Sequence, residues 1–262
     1  MDKAPVSVVI IAKNEGKRIG DCVKAVSDWA DQVLVIDDKS TDNTKHIAES
    51  LGAKVLVKEM INEGKHRNWA KDQAKNDWVL SLDCDERPTP ELKEEVSKAI
   101  KDDSYQGFSI PFKNYIGDYW IRGGGWYPAP KLRLYKKDYF RYKEQNVHPP
   151  IEFKGHCGKL KSDIIHFNYK DWTDYVRKTN NQTTLEAKKW YDYSFENPKK
   201  ARYKMNTIHA LWRVYDRFIG SFFWKKGWKD GFIGFMIAYL SAFYQILSYA
   251  KYREFKKNDK KK

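Results

Sequence analysis

Cysteine is scarce in this chain of 262 residues: Cys22, Cys84 and Cys157 lie far apart in the sequence. An odd number of widely spaced cysteines predicts neither a disulfide framework nor a zinc site built from thiolates, and it indicates a reducing cytosolic compartment. The first residues lack the basic and apolar regions of a secretory signal, so none is expected. The sequence also has no internal repeats, and its length suits one α/β domain with a C-terminal addition.

Acidic residues are sparse in the C-terminal part of the chain. Residues 1–100 carry 16 basic and 19 acidic side chains, a net charge of −3, whereas residues 101–262 carry 33 and 16, a net charge of +17. The aromatic residues of the basic part lie within apolar helical runs and not as exposed platforms between Lys and Arg, which argues against a nucleic-acid partner. An anionic membrane surface is the partner that this charge distribution predicts.

Apolar runs alternate with helical segments along the first hundred residues. Strands are predicted at 6–12, 33–36, 54–57 and 78–82, and helices after residue 18 and at 42–51, 65–75 and 90–100. This alternation predicts an α/β fold with βαβ crossovers and a mostly parallel, Rossmann-like sheet. Residues 105–169 contain short aromatic runs broken by Gly and Pro, which predict either an acceptor site with a mobile loop or an antiparallel sheet that covers the core.

Residues 171–262 are predicted to be helical, with helices near 173–193, 198–223 and 231–252, so the expected division is a domain of residues 1–170 and a helical region of 171–262. Residues 231–250 carry no formal charge and are numerous enough to span a bilayer. Ser241, Gln245 and Ser248 form a polar stripe opposite several aromatic residues, which predicts a helix lying on or dipping into a membrane surface. The alternatives are a helix buried in the protein and a homo-oligomer interface.

Two acidic clusters directly follow predicted strands, Asp37 to Asp42 and Asp83-Cys84-Asp85-Glu86. The carboxyl ends of parallel strands open into the crevice where α/β sheets bind ligands. One carboxylate there can accept hydrogen bonds from a base or ribose, and an Asp-x-Asp pair offers oxygen ligands to Mg²⁺ or Mn²⁺ on a diphosphate. The alternative is helix capping by Asp and Ser. Three acids in four residues repel one another unless a cation or donors offset them, so the sequence predicts a phosphate-and-metal site.

The ordered motifs of the first hundred residues resemble those of a family 2 glycosyltransferase with the GT-A fold, and more narrowly the lipopolysaccharide-core β-glucosyltransferase-like branch. They lie at 11–15, 35–44, 67–70 and 78–86, and weaker similarities follow at 124–128, 132–134, 147–148 and 165–169. The resemblance implies a nucleotide-diphosphosugar donor, usually linked to UDP, a divalent metal (Mn²⁺ or Mg²⁺) and inversion at the anomeric carbon. It also implies a lipid-linked or lipopolysaccharide-type acceptor at the cytoplasmic face of the inner (plasma) membrane.

Matching the motifs residue by residue assigns roles in donor and metal binding. Asp85 is expected to hold the metal beside Asp83, and His166 to complete the metal shell or contact the diphosphate, unless it is structural. The nucleotide-binding residues expected from the resemblance are Asp37 and Asp38 at the uracil or ribose, Asn14 and Glu15 at the same end of the crevice, and Arg67 at the diphosphate. The alternative for Arg67 is a solvated charge on a helix.

The general base that activates the acceptor hydroxyl is the least determined part of the site. Ala129 and Pro149 stand where many members of the resembled family carry Asp and Glu, so the sequence departs from the pattern there. The remaining candidates are Glu144, which is ranked first because it precedes the Val-His segment, and then His148, Glu152 and Asp118.

Two other functions compete with glycosyl transfer. A metal-dependent nucleotidyltransferase also uses paired acids on an α/β sheet, but it would carry a glycine- and lysine-rich phosphate loop after the first strand, and residues 13–16 make a poor one. A non-catalytic membrane adaptor would suit the basic helical tail. It would leave both acidic clusters unexplained.

Overall fold

The structure, a computed structural model, describes residues 3–145 and 149–259. In chain order its elements are β1 (Ala4–Ala12), α1 (Ile19–Ser27), β2 (Ala30–Asp37), α2 (Thr44–Ser50), β3 (Lys54–Val57), α3 (Glu63–Asp72), β4 (Trp78–Asp83), β5 (Glu86–Pro88), α4 (Pro90–Ala99), β6 (Gly107–Ile110), β7 (Phe112–Ile116), β8 (Tyr119–Trp120), β9 (Lys131–Lys136), β10 (Phe140–Tyr142), β11 (Ile151–Phe153), β12 (Cys157–Lys159), β13 (Ile164–Tyr169), α5 (Trp172–Glu196), α6 (Pro198–Lys204), α7 (Thr207–Ile219) and α8 (Gly231–Asp259).

Contacts divide the described part of the chain into two compact units. The first unit runs up to Phe112 and also contains Ala129–His166, and the second unit contains Lys113–Pro128 together with the chain from Phe167 onward. The sequence places a boundary near residue 170, close to the end of the first unit. It does not anticipate that residues 113–128 join the C-terminal helices.

The main sheet of the first unit has, among the described residues, seven strands in the order β12-β6-β9-β4-β1-β2-β3. Strand β1 lies between β2 and β4 and pairs in parallel with both, and β3 extends the parallel part beyond β2. Strand β9 runs antiparallel to its neighbours β4 and β6. The predicted α/β class with a mostly parallel sheet is therefore confirmed, and residues 105–169 add strands to it.

Both faces of this sheet are covered, which explains why its central strands are apolar without alternation. On one face Val8 and Ile10 of β1 join a buried cluster with α1 and α4, while on the other face Val9 packs with residues of α3, β9 and β10. Successive residues of a strand point to opposite faces. The apolar run of β1 is thus shared between two cores, and the polar residues that follow it lie at the carboxyl edge of the sheet.

The sequence predicts one continuous helix at 198–223, and this prediction is wrong. The structure has α6 and α7 in its place, separated at Met205 and Asn206, and residues 220–224 follow α7 as a π-helical turn. The side-chain oxygen of Asn206 accepts a hydrogen bond from the amide of His209 at 2.8 Å. Asparagine caps the N-terminus of a new helix more readily than it continues an existing one, and this explains the break.

Candidate active site

The loops that follow β1 and β2 are tied together by side-chain hydrogen bonds. The amide of Asn14 donates to Ser40 Oγ at 2.9 Å, and Asn14 Oδ1 accepts from the amide of Thr41 at 2.8 Å. Asn14 has a φ of 52°, a left-handed conformation that asparagine tolerates better than most residues. The amide of Glu15 donates to Thr44 Oγ1 at 2.8 Å. The structure thus brings Asn14 and Glu15 to the loop that begins at the end of β2.

Asp37 and Asp38 at the end of β2 are both buried, at 2% and 1% exposure. Lys13 and the amide of Met60 each contact one oxygen of Asp38, at 2.9 and 2.8 Å. Burial raises the pKa of Asp38, but these donors outweigh it and hold the pKa below its ordinary value. Asp37 Oδ2 accepts from the Ser40 amide at 2.9 Å, whereas Asp37 Oδ1 has no donor among the described residues. Asp37 therefore carries a buried acceptor that no described residue uses.

Asp83 at the end of β4 is held between two arginines. Arg67 approaches Asp83 Oδ1 at 3.3 Å, and Arg133 donates to Oδ2 at 2.9 Å and to the Oε1 of the fully buried Glu86 at 2.5 Å. Burial raises the pKa of both carboxyl groups. The two guanidinium groups hold the pKa of Asp83 well below its usual range, while the pKa of Glu86 stays above its ordinary value. Asp83 thus fixes the positions of Arg67 and Arg133, and each of its two carboxylate oxygens has a guanidinium partner.

Asp85 lies between β4 and β5, with its side chain about one fifth exposed. Its Oδ1 is 3.6 Å from His166 Nε2, and its Oδ2 is 3.7 Å from Arg18 Nη1. His166 reaches this position because β13 pairs antiparallel with β5, which sets His166 opposite Glu86. Burial raises the pKa of Asp85, but His166 and Arg18 outweigh it and hold the pKa below its ordinary value.

Asp85 and His166 fit a metal site with two protein ligands. Ligand atoms about 2.1 Å from one ion lie up to about 4 Å from each other, and the oxygen and nitrogen here are 3.6 Å apart. Among the described residues no group of three or more His, Cys, Asp or Glu side chains is arranged to hold a metal. Magnesium-type sites at phosphates commonly use one or two carboxylates and take other ligands from the substrate.

The two acidic clusters flank the end of β1. In the sheet register Asp37 lies opposite Ala12, and Asp83 lies opposite the neighbouring Ile11 on the other side of the strand. Strands are about 4.8 Å apart, so the backbones at Asp37 and Asp83 are separated by about 10 Å. A nucleoside diphosphate covers such a distance. The edge of the sheet thus has the unused acceptor Asp37 Oδ1 at one end. Arg67, Arg133 and the Asp85–His166 pair lie at the other end.

Two of the candidate bases are exposed carboxylates of the first unit. Glu144 Oε2 is 3.2 Å from Lys65 Nζ, and Glu152 Oε1 is 3.6 Å from Lys143 Nζ. Lys65 belongs to α3, the helix that carries Arg67 to Asp83. The structure therefore places Glu144 against the helix that lines the site and gives Glu152 a different partner.

Close backbone packing fixes the segment that contains Glu144. The amide of Gly64 at the start of α3 donates to the carbonyl of Gln145 at 3.1 Å, and a Cβ at residue 64 would collide with the carbonyl of Lys143. Of the other candidates, Asp118 is exposed in the turn between β7 and β8 in the second unit. His148 lies outside the described residues.

Three charged residues at the second acidic cluster, Arg18, Glu86 and Arg133, received no role from the sequence, and neither did Lys13, which contacts Asp38. The signal for Arg133 was present, because it is a lone charge within the apolar run Leu132-Arg133-Leu134-Tyr135. A buried arginine requires a carboxylate partner, and the second acidic cluster supplies two. Arg18 follows the first loop in sequence and offered no comparable signal.

Two acidic clusters at neighbouring strand ends, with arginines around them, make this edge of the sheet the candidate active site. The family model described as glycosyl transferase family 2 matches residues 7–159, more than half of the chain. The chain belongs to glycosyl transferase family 2. The resemblance read from the motifs is thereby confirmed, and the α/β sheet agrees with the GT-A fold that it implied.

Relatives extend the similarity over almost the whole chain. An uncharacterised glycosyltransferase of Rickettsia typhi is 30% identical over 95% of this chain and 87% of its own length. The lipopolysaccharide core biosynthesis glycosyltransferase LpsC of Rhizobium meliloti is 26% identical over 95% of this chain and 92% of its own. Among solved structures, S. aureus TarS is 18% identical with a TM-score of 0.48, covering 69% of this chain and 39% of TarS.

Proposed function

We propose that this protein is an inverting, metal-dependent glycosyltransferase that moves a sugar from a UDP-linked donor to a lipid-linked or lipopolysaccharide-type acceptor. The observation that carries the proposal is the pairing of Asp85 with His166, 3.6 Å apart, at the strand edge that also presents the spare acceptor of Asp37. Such an edge holds a nucleotide at one end and the leaving diphosphate at the other.

In this proposal the residues of the chain orient the donor and stabilise the leaving group. Asp37 accepts a hydrogen bond from the uracil or ribose, and Asp38 holds the loop through Lys13 and Met60. Arg67 and Arg133, ordered by Asp83, lie where a diphosphate gains negative charge as the bond to C1 breaks. A Mn²⁺ or Mg²⁺ ion held by Asp85 and His166 supplies further charge neutralisation at the leaving oxygen when bound.

The proposed role of Asp37 predicts a specific loss of nucleotide affinity. Changing Asp37 to asparagine keeps the shape but removes a charged acceptor, and hydrogen bonds to charged groups contribute about 1.5–3 kcal/mol. We expect UDP to bind about 10- to 100-fold more weakly, measured by calorimetry without metal. The matched control is Asp77→Asn, an exposed carboxylate just before β4. Equal affinities of both variants and the unsubstituted protein would place the nucleotide elsewhere.

Glu144 is the proposed general base, and its neighbour Glu152 offers a matched control because both are exposed carboxylates that face a lysine. General base catalysis contributes about 10²–10⁴-fold. We therefore expect Glu144→Gln to slow transfer at least about 100-fold with unchanged UDP affinity, and Glu152→Gln to stay within a few-fold of the original rate. Single-turnover transfer to acceptor measures both. The reverse pattern would assign the base to Glu152, and full activity in both variants would exclude these two residues.

The lipid or lipopolysaccharide acceptor is supported by the similarity to LpsC and by the C-terminal helix. One described helical segment, Gly227–Asp259, is long and apolar enough to cross a membrane by length and composition. An enzyme whose acceptor is embedded in a membrane gains from remaining at that surface. We propose that the protein acts at the cytoplasmic face of the inner membrane, where nucleotide sugars are made.

A panel of nucleotide sugars incubated with Mn²⁺ and a lipid extract tests the proposed activity. Release of a nucleoside diphosphate together with labelled lipid is the expected result. A parallel mixture of UTP, a hexose 1-phosphate and Mn²⁺ tests the alternative. Release of pyrophosphate with formation of a nucleotide sugar there would identify a nucleotidyltransferase instead. The proposal would be refuted if no donor gave either product and UDP did not raise the unfolding temperature.

A further inference from the structure

Helix α7 presents its apolar stripe to the outside of the second unit. Ile208, Leu211, Trp212 and Tyr215 recur at helical spacing and are 82%, 57%, 55% and 66% exposed, whereas Ala210 is buried. A surface helix of a globular protein normally turns such a stripe toward the core. Contiguous exposed apolar side chains of this size mark a surface that meets another apolar phase.

The stripe of α7 continues onto α8 through contacts between aromatic rings. Phe218 lies 5.7 Å from Phe222 and 5.9 Å from Phe235, measured between ring centroids, and Phe235 contacts Phe232 and Tyr239 in turn. Phe232 and Tyr239 are 74% and 52% exposed. We call the exposed apolar side chains of α7 and α8 together the aromatic face. It is one surface made from two helices.

The opposite side of α8 is packed within the second unit. Ile237 is buried against Ile116, Ile121 and Tyr175, and Ser248 is fully buried. Farther along, Lys251 Nζ donates to the carbonyl of Asn180 in α5 at 2.7 Å. The polar stripe read from the sequence therefore faces protein, and the aromatic side faces outward. A helix crossing a bilayer would have to abandon these contacts, so the packing favours α8 lying in the plane of a surface.

Basic residues surround the aromatic face. Residues 199–229 contain nine Lys and Arg and a single acid, Asp216, which gives a net charge of +8. Between the two helices Lys225, Lys226 and Lys229 are exposed among Trp224 and Trp228. Tryptophan beside lysine suits the boundary between lipid headgroups and acyl chains, where a ring has both apolar and polar neighbours. A patch with such a basic border complements an anionic surface.

We propose that the aromatic face is a docking surface for an anionic lipid bilayer, with α7 and α8 lying parallel to the membrane plane. The rings and Ile208 enter the region between headgroups and acyl chains, and the lysines contact anionic headgroups. The proposal gives α7 a part in membrane binding. Length and composition alone indicate only the segment that contains α8. It depends on the packing of the second unit and is independent of the transfer reaction.

Sedimentation of the full-length protein with vesicles tests the docking surface. The probes are phosphatidylcholine vesicles with and without phosphatidylglycerol, which supplies the anionic headgroups. We expect binding to the anionic vesicles, weakened but not abolished by salt, because apolar insertion is not screened. The double variant I208E/W212E should bind at least tenfold more weakly, since both side chains are exposed and the new charges repel anionic lipid.

The matched control is V176E/L185E, which places two charges on exposed apolar positions of α5, a helix that contributes no side chain to the aromatic face as defined. It should bind vesicles as the unsubstituted protein does. Circular dichroism confirms that each variant is folded before binding is compared. Equal binding of I208E/W212E and the unsubstituted protein, or no binding by the latter at any salt, overturns the proposal. A dimer in solution that I208E/W212E converts to a monomer, without vesicle binding by either, would assign the face to a second copy of the chain.

Discussion

Replacing Asp85 with asparagine is expected to slow sugar transfer about a thousandfold while the protein remains folded. Loss of a carboxylate ligand weakens metal binding, and a metal at a leaving diphosphate contributes several kcal/mol to transition-state stabilisation. The substitution also leaves His166 without the carboxylate oxygen that lies 3.6 Å away. Initial rates over a range of Mn²⁺ concentrations measure the effect.

A second readout separates the metal role from a structural one. In the unsubstituted protein Mn²⁺ is expected to tighten UDP binding measured by calorimetry, and Asp85→Asn should remove this increment while leaving metal-free UDP affinity unchanged. The control is Asp103→Asn, an exposed carboxylate paired with Lys136 at 3.1 Å. More than about a tenth of the original activity in Asp85→Asn at low Mn²⁺ would show that Asp85 is not a required ligand.

Replacing Arg133 with methionine is expected to lower the free energy of unfolding by about 3–5 kcal/mol, because it leaves the buried carboxylate of Glu86 without its cation. Glu86 is fully buried and has Arg133 at one oxygen, and Asp83 keeps only Arg67. Urea unfolding measures the loss. The control is Lys136→Met in the same strand, whose ammonium faces the exposed Asp103, and it should cost less than about 1 kcal/mol.

The penalty of Arg133→Met should shrink as the pH falls. Without Arg133 the folded-state pKa values of both Asp83 and Glu86 rise, because the guanidinium no longer lowers them against burial. The folded variant then binds more protons than the folded unsubstituted protein at acidic pH, so its stability falls less, or rises, on acidification. The difference in unfolding free energy should therefore be smaller near pH 4.5 than at pH 7, and a difference independent of pH would contradict this reading of the network.

The sheet and the acidic edge could be predicted because they depend on short stretches of sequence. Continuous apolar runs mark strands buried on both faces, and Asp37 and Asp83 follow such runs directly. The predicted strand at 54–57 agrees with β3, and Gly52 after α2 has the positive φ of 82° expected of a helix-ending glycine. Local pattern thus identified the residues at the strand ends. It did not identify which carboxylates are engaged by protein donors.

The features that could not be predicted from the sequence depend on contacts between residues that are distant in the chain. Arg133 reaches Asp83 because β9 inserts antiparallel beside β4, a pairing that no pattern within 131–136 specifies. The stripe of Ile208, Trp212 and Tyr215 was visible as periodicity, but periodicity does not say whether an apolar face turns inward or outward. In the structure Ala210 is buried and Arg213 lies over the ring of Trp190. This side of α7 therefore packs against protein, and the apolar stripe is left exposed.

The carboxylate of Asp230 just before α8 accepts hydrogen bonds from the amides of Arg122 and Gly123 and from the Tyr119 hydroxyl, and it lies 107 residues from Gly123 in the chain. During synthesis at about 5–20 residues per second, residues 113–128 therefore leave the ribosome about 5–20 s before this partner exists. The contacts of Tyr119, Arg122 and Gly123 with this carboxylate can therefore form only after residue 230 has been added. A nascent chain that stalls before residue 230 would lack the carboxylate that accepts these three hydrogen bonds, so the middle of the protein depends on translation of the C-terminal part for one of its tertiary contacts.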